Sequence, residues 1–281
     1  MDNNNQDSSK STKYLNLAIE AALLAGEAIM KIYDKKYKIK EKSDNSPLTE
    51  ADLAADQIIC EKLKSTKIPI ISEETNLLPY QIRKEWQQAW IVDPLDGTKE
   101  FINKNGEFTV NIALIDNGQP ILGIVYAPAL QQLYYGAKGL GSYEVKIAKN
   151  GNVADLLTKS KKIFSDKSTD KIVIVASRSH NNADTDEFIK NISTKTENVE
   201  IQNAGSSLKF CLLASGKAHI YPRFGRTMEW DVAAGHAVLV YSGGTCEQLD
   251  NQPIKYNKEN LENPFFIGLA SSILGMKKQL M

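Results

Sequence analysis

A layered α/β protein is what this sequence predicts, and three observations carry that expectation. The second half alternates short apolar runs with amphipathic segments, which is the alternation of strand and helix. The middle holds four apolar runs between Phe108 and Ile147 separated by turn residues. Asn117-Gly118 is the strongest hairpin signal among them, so this part of the sheet should be an antiparallel meander. The chain has 281 residues, 42% apolar and 24% charged, enough for one large α/β domain or two modest lobes of ordinary globular composition.

Met1 to Thr12 is polar and rich in Asn and Ser, and reads as a disordered start. From Tyr14 to Tyr33, the residues Leu15, Ala18, Ala22, Ala25, Ile29 and Ile32 recur at steps of three and four, the spacing of an amphipathic helix. Lys35 to Lys42 is a short exposed strand or loop. Ser46 to Asp52 opens a second helix that runs to about Leu63, with Thr49 as its cap and Asp52 in its first turn, where an acid ordinarily complements the helix dipole. Ile68 to Ile71 is a short buried strand leading into Ser72-Glu73-Glu74. Trp90-Ile91-Val92 is another, closed by the turn Asp93-Pro94-Leu95-Asp96-Gly97-Thr98.

The meander follows: Phe108 to Asp116, Ile121 to Tyr126, Leu133 to Tyr135 and Ser142 to Ile147. Residues 149 to 169 are polar and rich in Lys and Ser, and read as a flap or lobe boundary. Lys171 to Ala176 is a strand, Ser177-Arg178-Ser179-His180 a turn, and Ala183 to Ile192 a helix. Gly205-Ser206-Ser207 opens a helix through Leu208, Phe210, Leu213 and Ala214. Ala218 to Tyr221 is a strand, and Trp230-Asp231 leads into a small-residue helix from Val232 to Val238. Phe265 to Leu269 is the last strand, before a helix ending near Lys278.

Charge narrows the function classes. Lys plus Arg is 34 and Asp plus Glu is 34, so the net charge is zero, without the basic excess of a nucleic-acid or anionic-membrane binder. An anionic substrate must then be met by local charge or by metal. Cys60, Cys211 and Cys246 are odd in number and lack CxxC spacing, which suits reduced core residues rather than disulfides or a zinc site. There is no signal-peptide pattern and no apolar span long enough for an integral membrane segment, so the expected location is cytoplasmic.

The chemistry concentrates at element ends. Asp93 and Asp96, three positions apart at the end of a buried strand, set two carboxylates where ligands bind in α/β sheets. Pro94 limits the backbone there and Gly97 lets it pass close to a ligand. Oxygen donors suit Mg²⁺, Ca²⁺ or Mn²⁺ rather than zinc. An acidic turn that merely closes a strand is the competing reading. Glu73 and Asp231 also stand at element ends, with Asp52 as an outlier. The helix start at Asp231 offers backbone N–H groups to an anion such as phosphate. If these acids converge, they describe a metal-dependent phosphatase, in which the cations neutralise the carboxylates and bridge to phosphoryl oxygens.

Ser72-Glu73-Glu74, Asp93-Pro94-Leu95-Asp96-Gly97-Thr98 and Trp230-Asp231-Val232-Ala233-Ala234-Gly235 resemble the three signatures of the inositol monophosphatase-like superfamily of Mg²⁺-dependent, lithium-sensitive phosphatases. Within it, Ser-Pro-Leu-Thr-Glu-Ala-Asp (46–52), Ser-Arg-Ser-His (177–180), Gly-Ser-Ser-Leu-Lys-Phe-Cys (205–211) and Tyr-Pro-Arg-Phe-Gly (221–225) resemble most closely the CysQ-type 3'(2'),5'-bisphosphate nucleotidases. The resemblance runs from the first helix to the last strand. It implies the layered inositol monophosphatase/fructose-bisphosphatase-like fold in two lobes, 13–160 with most metal ligands and 161–281 with the nucleotide-binding loops, the metals at their junction.

It further implies Glu73, Asp93, Asp96, Asp231 and the Leu95 carbonyl as ligands of two or three Mg²⁺, with Asp52 and Thr98 acting on the attacking water and Glu73 as the alternative base. Gly97, Thr98, His180, Ser206, Lys209, Arg223 and Asp231 would hold the substrate. The signature often carries Ile where Leu95 stands, but only the carbonyl is needed. The implied partner is a small nucleotide bisphosphate, adenosine 3',5'-bisphosphate, a by-product of sulfate activation; no nucleic-acid partner is implied. The implied location is cytoplasmic, in some members peripheral at the inner membrane. The runner-up is an inositol monophosphatase or broad sugar-phosphate phosphatase. A non-catalytic nucleotide-sensing protein is the alternative of another class. His219, His236 and Tyr134-Tyr135 read as core or sheet packing, and Arg178 and Arg226 as surface charges.

Overall fold

A computed structural model describes residues 2–35, 39–41, 47–148, 153–166, 170–178, 182–196 and 198–280. In chain order, α1 (Asp2–Tyr33), β1 (Ile39–Glu41), β2 (Pro47–Thr49) and α2 (Glu50–Lys64) come first. Then follow β3 (Ile70–Ser72), α3 (Tyr80–Arg83), β4 (Gln88–Asp96), α4 (Thr98–Ile102), β5 (Thr109–Asp116), β6 (Gln119–Ala127), β7 (Gln132–Ala137) and β8 (Gly141–Lys146). After α5 (Val153–Lys159) and β9 (Lys161–Ile163) come β10 (Ile172–Ser177), α6 (Ala183–Lys195), β11 (Val199–Ala204) and α7 (Leu208–Ala214). The chain closes with β12 (Ile220–Arg223), α8 (Glu229–Tyr241), β13 (Thr245–Gln248), β14 (Phe266–Leu269), a 3₁₀ turn over Ser271–Met276 and α9 (Lys277–Leu280).

Strands β3 to β9 form one sheet in sequence order, antiparallel except for the parallel pair β3–β4. The meander expected from Asn117-Gly118 is its centre. Side-chain alternation then divides this sheet between two cores. Trp90 and Val92 of β4, with Val110, Ile112 and Leu114 of β5, pack under α1 and α2. Their neighbours Ala89, Ile91, Ala113 and Ile115 face α7 and α8. A second sheet, ordered β11-β10-β12-β14-β13, lies beyond α7 and α8, and its outer face packs against α6 and the C-terminal residues Ile273 and Leu280. The layers run helix, sheet, helix, sheet, helix, as the α/β reading requires.

The small residues of α8 explain its central place. A side chain at Gly123 of β6 would come within 2.3 Å of the Ala234 carbonyl, and one at Gly235 within 2.4 Å of Phe210 on α7. With glycine at both points, α8 lies directly on the first sheet and α7 directly on α8. That contact places the first turn of α8 beside the end of β4.

Four expectations are corrected. The N-terminal polar stretch is the start of α1, which reaches back to Asp2; Asn, Asp and Ser suit a helix start. The strand ending at Asp93 continues through Pro94 to Asp96, with its pairing to β5 shifted between Asp93 and Asp96, the irregularity at which a sheet admits proline. Part of the polar stretch 149–169 is ordered as α5 and β9, because Val153, Leu156 and Leu157 pack on the first core; residues 149–152 and 167–169 lie outside the described ones. The strands β11 and β13 were not expected: both are edge strands, and the alternation of β11 stops after Val199 to Gln202.

Candidate active site

The carboxylates are brought together by three elements. Asp93 lies on β4 at 1% exposure, and its Oδ1 accepts from Leu95 N at 3.0 Å, turning the chain past Pro94. Glu73 follows β3, the parallel neighbour of β4, and is registered by Glu73 N donating to the Val92 carbonyl at 3.2 Å. Asp231 comes from the first turn of α8, where its Oδ2 accepts Met228 N at 2.8 Å. Carboxylate oxygens of Glu73, Asp93 and Asp231 all lie within 4.8 Å of one another.

Asp96 stands beside this triad, its Oδ2 accepting Ser207 N at 2.8 Å and Asn111 Nδ2 at 3.2 Å. Burial, then the nearby Asp96 and Glu73, push the Asp231 carboxyl up to about 8. Burial also raises Asp96, against the pull of Lys209. So many acids in one dry corner repel one another unless a cation joins them. The donors are all oxygen, without nitrogen or sulfur, and so fit a hard divalent metal.

Asp52 and Thr98 meet across 46 residues of sequence. Asp52 Oδ2 accepts Thr49 N at 2.8 Å and Thr49 Oγ1 at 2.6 Å, the reciprocal cap of α2. Its Oδ1 receives Thr98 Oγ1 at 3.4 Å, and Thr98 Oγ1 also lies 3.4 Å from the Leu95 carbonyl. Asp52 is thus a first-turn cap and a partner of loop 93–98 at once. Between Asp96 and Thr98, Gly97 takes φ of +87°, and a side chain there would meet Ser206 Oγ at 2.1 Å. Position 97 needs glycine on both counts.

A cavity of about 650 Å³ opens over these groups; Glu73, Asp93 and Asp231 form its carboxylate wall, and Lys209, Arg223 and Arg226, also in its lining, its cation wall. Lys209 is buried, its Nζ donating to the carbonyls of Ser206 at 2.7 Å and Ala204 at 3.3 Å; burial pulls its ammonium down to about 8 despite Asp96. Arg223 donates Nη2 to the Arg226 carbonyl at 3.0 Å, while its Nε is buried without a partner. Ser206 Oγ lies 2.9 Å from the Asp96 carbonyl and 2.8 Å from that of Glu107, tying loop 205–207 to loop 93–98. His180 lies outside the described residues.

Two residues read as surface charges do more. Arg178 grips Glu107 with two 2.9 Å bonds, and Glu107 Oε2 also accepts Gly205 N at 2.8 Å, so this pair clamps loop 205–207 from outside. Arg226 lines the cavity mouth. No local pattern distinguishes either from an ordinary loop arginine. The core readings of the histidines hold: His219 Nδ1 accepts Val173 N at 2.9 Å, and His236 Nδ1 lies 2.8 Å from Tyr256 Oη with its pKa lowered to about 4 by burial. Tyr135 stacks on Tyr143 within the sheet.

Residues 10–271 match the model of the inositol monophosphatase family. The chain is 42% identical over 258 residues to the 3'(2'),5'-bisphosphate nucleotidase CysQ of Escherichia coli K12, covering 90% of this chain and 98% of that protein. Its fold superposes on the crystal structure of CysQ from Bacteroides thetaiotaomicron with a TM-score of 0.84 at 44% identity, covering 92% of this chain and 97% of that one. An inositol monophosphatase from Anabaena shares the fold at 24% identity and a TM-score of 0.70, covering 97% and 96%. No described helix is long and apolar enough to cross a membrane.

Proposed function

The chain belongs to the inositol monophosphatase family, and from there we propose that it is a Mg²⁺-dependent 3'(2'),5'-bisphosphate nucleotidase. It hydrolyses the 3'-phosphate of adenosine 3',5'-bisphosphate to give AMP and phosphate. The observation that carries this reading is one cavity whose lining combines a carboxylate triad with the cations Lys209 and Arg223. A monophosphate needs only the first wall; a bisphosphate uses both. The similarity to CysQ nucleotidases over most of the chain supports the same choice.

Glu73, Asp93, Asp96, Asp231 and the Leu95 carbonyl would hold two or three Mg²⁺. Bound there, Mg²⁺ would offset the carboxylate repulsion, neutralise phosphoryl charge and acidify a water. The chain's own groups do the rest. Thr98 Oγ1, within 3.4 Å of Asp52 Oδ1, is placed to take a proton from the attacking water while passing its own to Asp52. Glu73 is the other carboxylate able to serve as base. Gly97 lets the backbone approach the reacting phosphate, and the helix start at Asp231 faces the same charge. Arg223 and Lys209 set a positive field for the 5'-phosphate, Ser206 fixes the loop between the walls, and His180 completes the nucleotide contacts. In this reading the lobes 13–160 and 161–281 each supply one wall, apart from Asp231. The enzyme would act in the cytoplasm, clearing a by-product of sulfate activation.

Phosphate release from adenosine 3',5'-bisphosphate, inositol 1-phosphate and a sugar phosphate, with and without Mg²⁺, tests the proposal. Mg²⁺-dependent turnover with a clear preference for the bisphosphate is expected. A preference for inositol phosphate would transfer the chain to the other branch of the family.

A further inference from the structure

The cation wall is short of charge for the substrate just proposed. A phosphate monoester carries about −1.5 to −2 at neutral pH. Lys209 is held by the carbonyls of Ser206 and Ala204 and opposed by Asp96. The guanidinium of Arg223, with its buried Nε lacking a partner, offers a single positive charge. The non-reacting phosphate therefore needs a second cation, and Arg226 stands at the mouth of the same cavity.

The position of Arg226 is built rather than incidental. Its carbonyl is held by Arg223 Nη2 at 3.0 Å, and the preceding Phe224 carbonyl by Asn182 Nδ2 at 2.5 Å. Beyond it, Asn263 N donates to the Thr227 carbonyl at 2.8 Å, and Met228 pairs antiparallel with Glu262. This backbone sets Arg226 and Glu262 side by side on the rim. Their side chains meet at 3.3 Å, with 59% and 43% of each exposed. An exposed ion pair of this kind contributes little to stability and is screened by salt. A phosphate offers the same guanidinium stronger, charge-assisted and bidentate bonds.

We infer that Arg226 is a second anchor for the non-reacting phosphate, and that Glu262 holds it at the cavity mouth until that phosphate displaces the carboxylate. The inference rests on the nucleotidase reading and assigns its specificity to an ion-pair exchange. The two partners then act in opposite directions. Removing the arginine weakens the bisphosphate; removing the competing acid strengthens it.

The test is steady-state kinetics of the full chain with Mg²⁺ on adenosine 3',5'-bisphosphate and on adenosine 3'-monophosphate, which lacks the second phosphate. Wild type, Arg226→Gln and Glu262→Gln are compared, each verified as folded by its melting curve. Arg226→Gln should raise KM for the bisphosphate about tenfold, lowering the bisphosphate-to-monophosphate ratio of kcat/KM, with the change in KM rather than kcat. Glu262→Gln should move that ratio the other way by a factor of about two to three, the worth of an exposed pair. Wild type preferring the bisphosphate while Arg226→Gln keeps the same ratio would overturn the inference and leave the nucleotidase reading standing. Equal falls in both variants would also overturn it, since Glu262 would then support the turn rather than compete. Wild type without any preference for the bisphosphate would remove the nucleotidase reading itself.

Discussion

The two walls of the cavity are built by different means. On the carboxylate wall, Asp93 and Asp231 sit on the buried strand β4 and on the first turn of the buried helix α8, and each hydrogen-bonds to the backbone of its own segment. On the cation wall, Arg223 ends the short strand β12 and Arg226 follows on a turn; Arg223 bonds the Arg226 carbonyl, and Arg226 pairs with the exposed Glu262. The first wall takes its geometry from the packing of two cores, the second from a loop tied down by a few polar contacts. Chemistry that must not vary is placed on rigid elements, and selectivity is left where small changes alter the ligand without disturbing the fold.

The largest effect expected from breaking this contrast is at Asp93. Asp93→Asn keeps an oxygen able to accept Leu95 N but removes a charged ligand, so turnover should fall by roughly two orders of magnitude or more. The metal-free melting temperature should hold or rise, because one of several repelling acids is gone. Normal turnover at ordinary Mg²⁺ in a folded variant would remove the metal role from this wall.

On the other wall Lys209 and Arg223 should separate in their effect on stability. Arg223→Ala should cost about ten- to a hundredfold in kcat/KM on the bisphosphate and much less on inositol 1-phosphate. Lys209→Met should also cost the bisphosphate more than inositol 1-phosphate, and should in addition lower the melting temperature, because its ammonium holds the Ser206 and Ala204 carbonyls. An equal loss on both substrates in Lys209→Met would remove it from the 5'-phosphate contacts.

These walls also differ in how far they were legible in the sequence. Asp93, Asp96 and Asp231 stand out because proline, glycine and a small-residue helix frame them, and each framing residue has a local physical reason. The meander was legible from alternation and from Asn117-Gly118, and the α2 cap from Thr49 and Asp52. The meeting of Asp52 with Thr98 was not readable from spacing, since it depends on how α2 packs against the sheet. Arg178, Arg226 and Glu107 carry no local signal: each is an ordinary polar loop residue until β11 and the turn after β12 put it beside the other wall. The edge strands β11 and β13 escaped because they are short: Val199 to Gln202 alternates for only four residues, and Thr245 to Gln248 has Cys246 as its one apolar residue.

A subtler probe of the carboxylate wall is pH. With its pKa raised to about 8, Asp231 keeps a proton in the folded state over a range where the unfolded chain has lost it. Its contribution to metal-free stability therefore falls as pH rises from the ordinary carboxylate range, and reaches its lowest level above about 8. A divalent cation replaces that proton and relieves the repulsion. The rise in melting temperature on adding Mg²⁺ should be greater at about pH 9 than at about pH 6. Equal rises would mean that proton release is not coupled to metal binding at this wall.

The smallest effect expected is at the clamp between the walls. Glu107→Gln weakens the grip on Arg178 and Gly205 without touching the cavity, so KM should rise only a few-fold. The catalytic constant should stay within about twofold.

The most direct measurement is a crystal structure with Mn²⁺ in place of Mg²⁺ and with AMP bound, read through the anomalous signal of the metal. The expected result is anomalous peaks ligated by Glu73, Asp93 and Asp231, with the AMP phosphate beside Arg223. Peaks absent from those carboxylates, or a phosphate bound away from Arg223, would contradict the two-walled site.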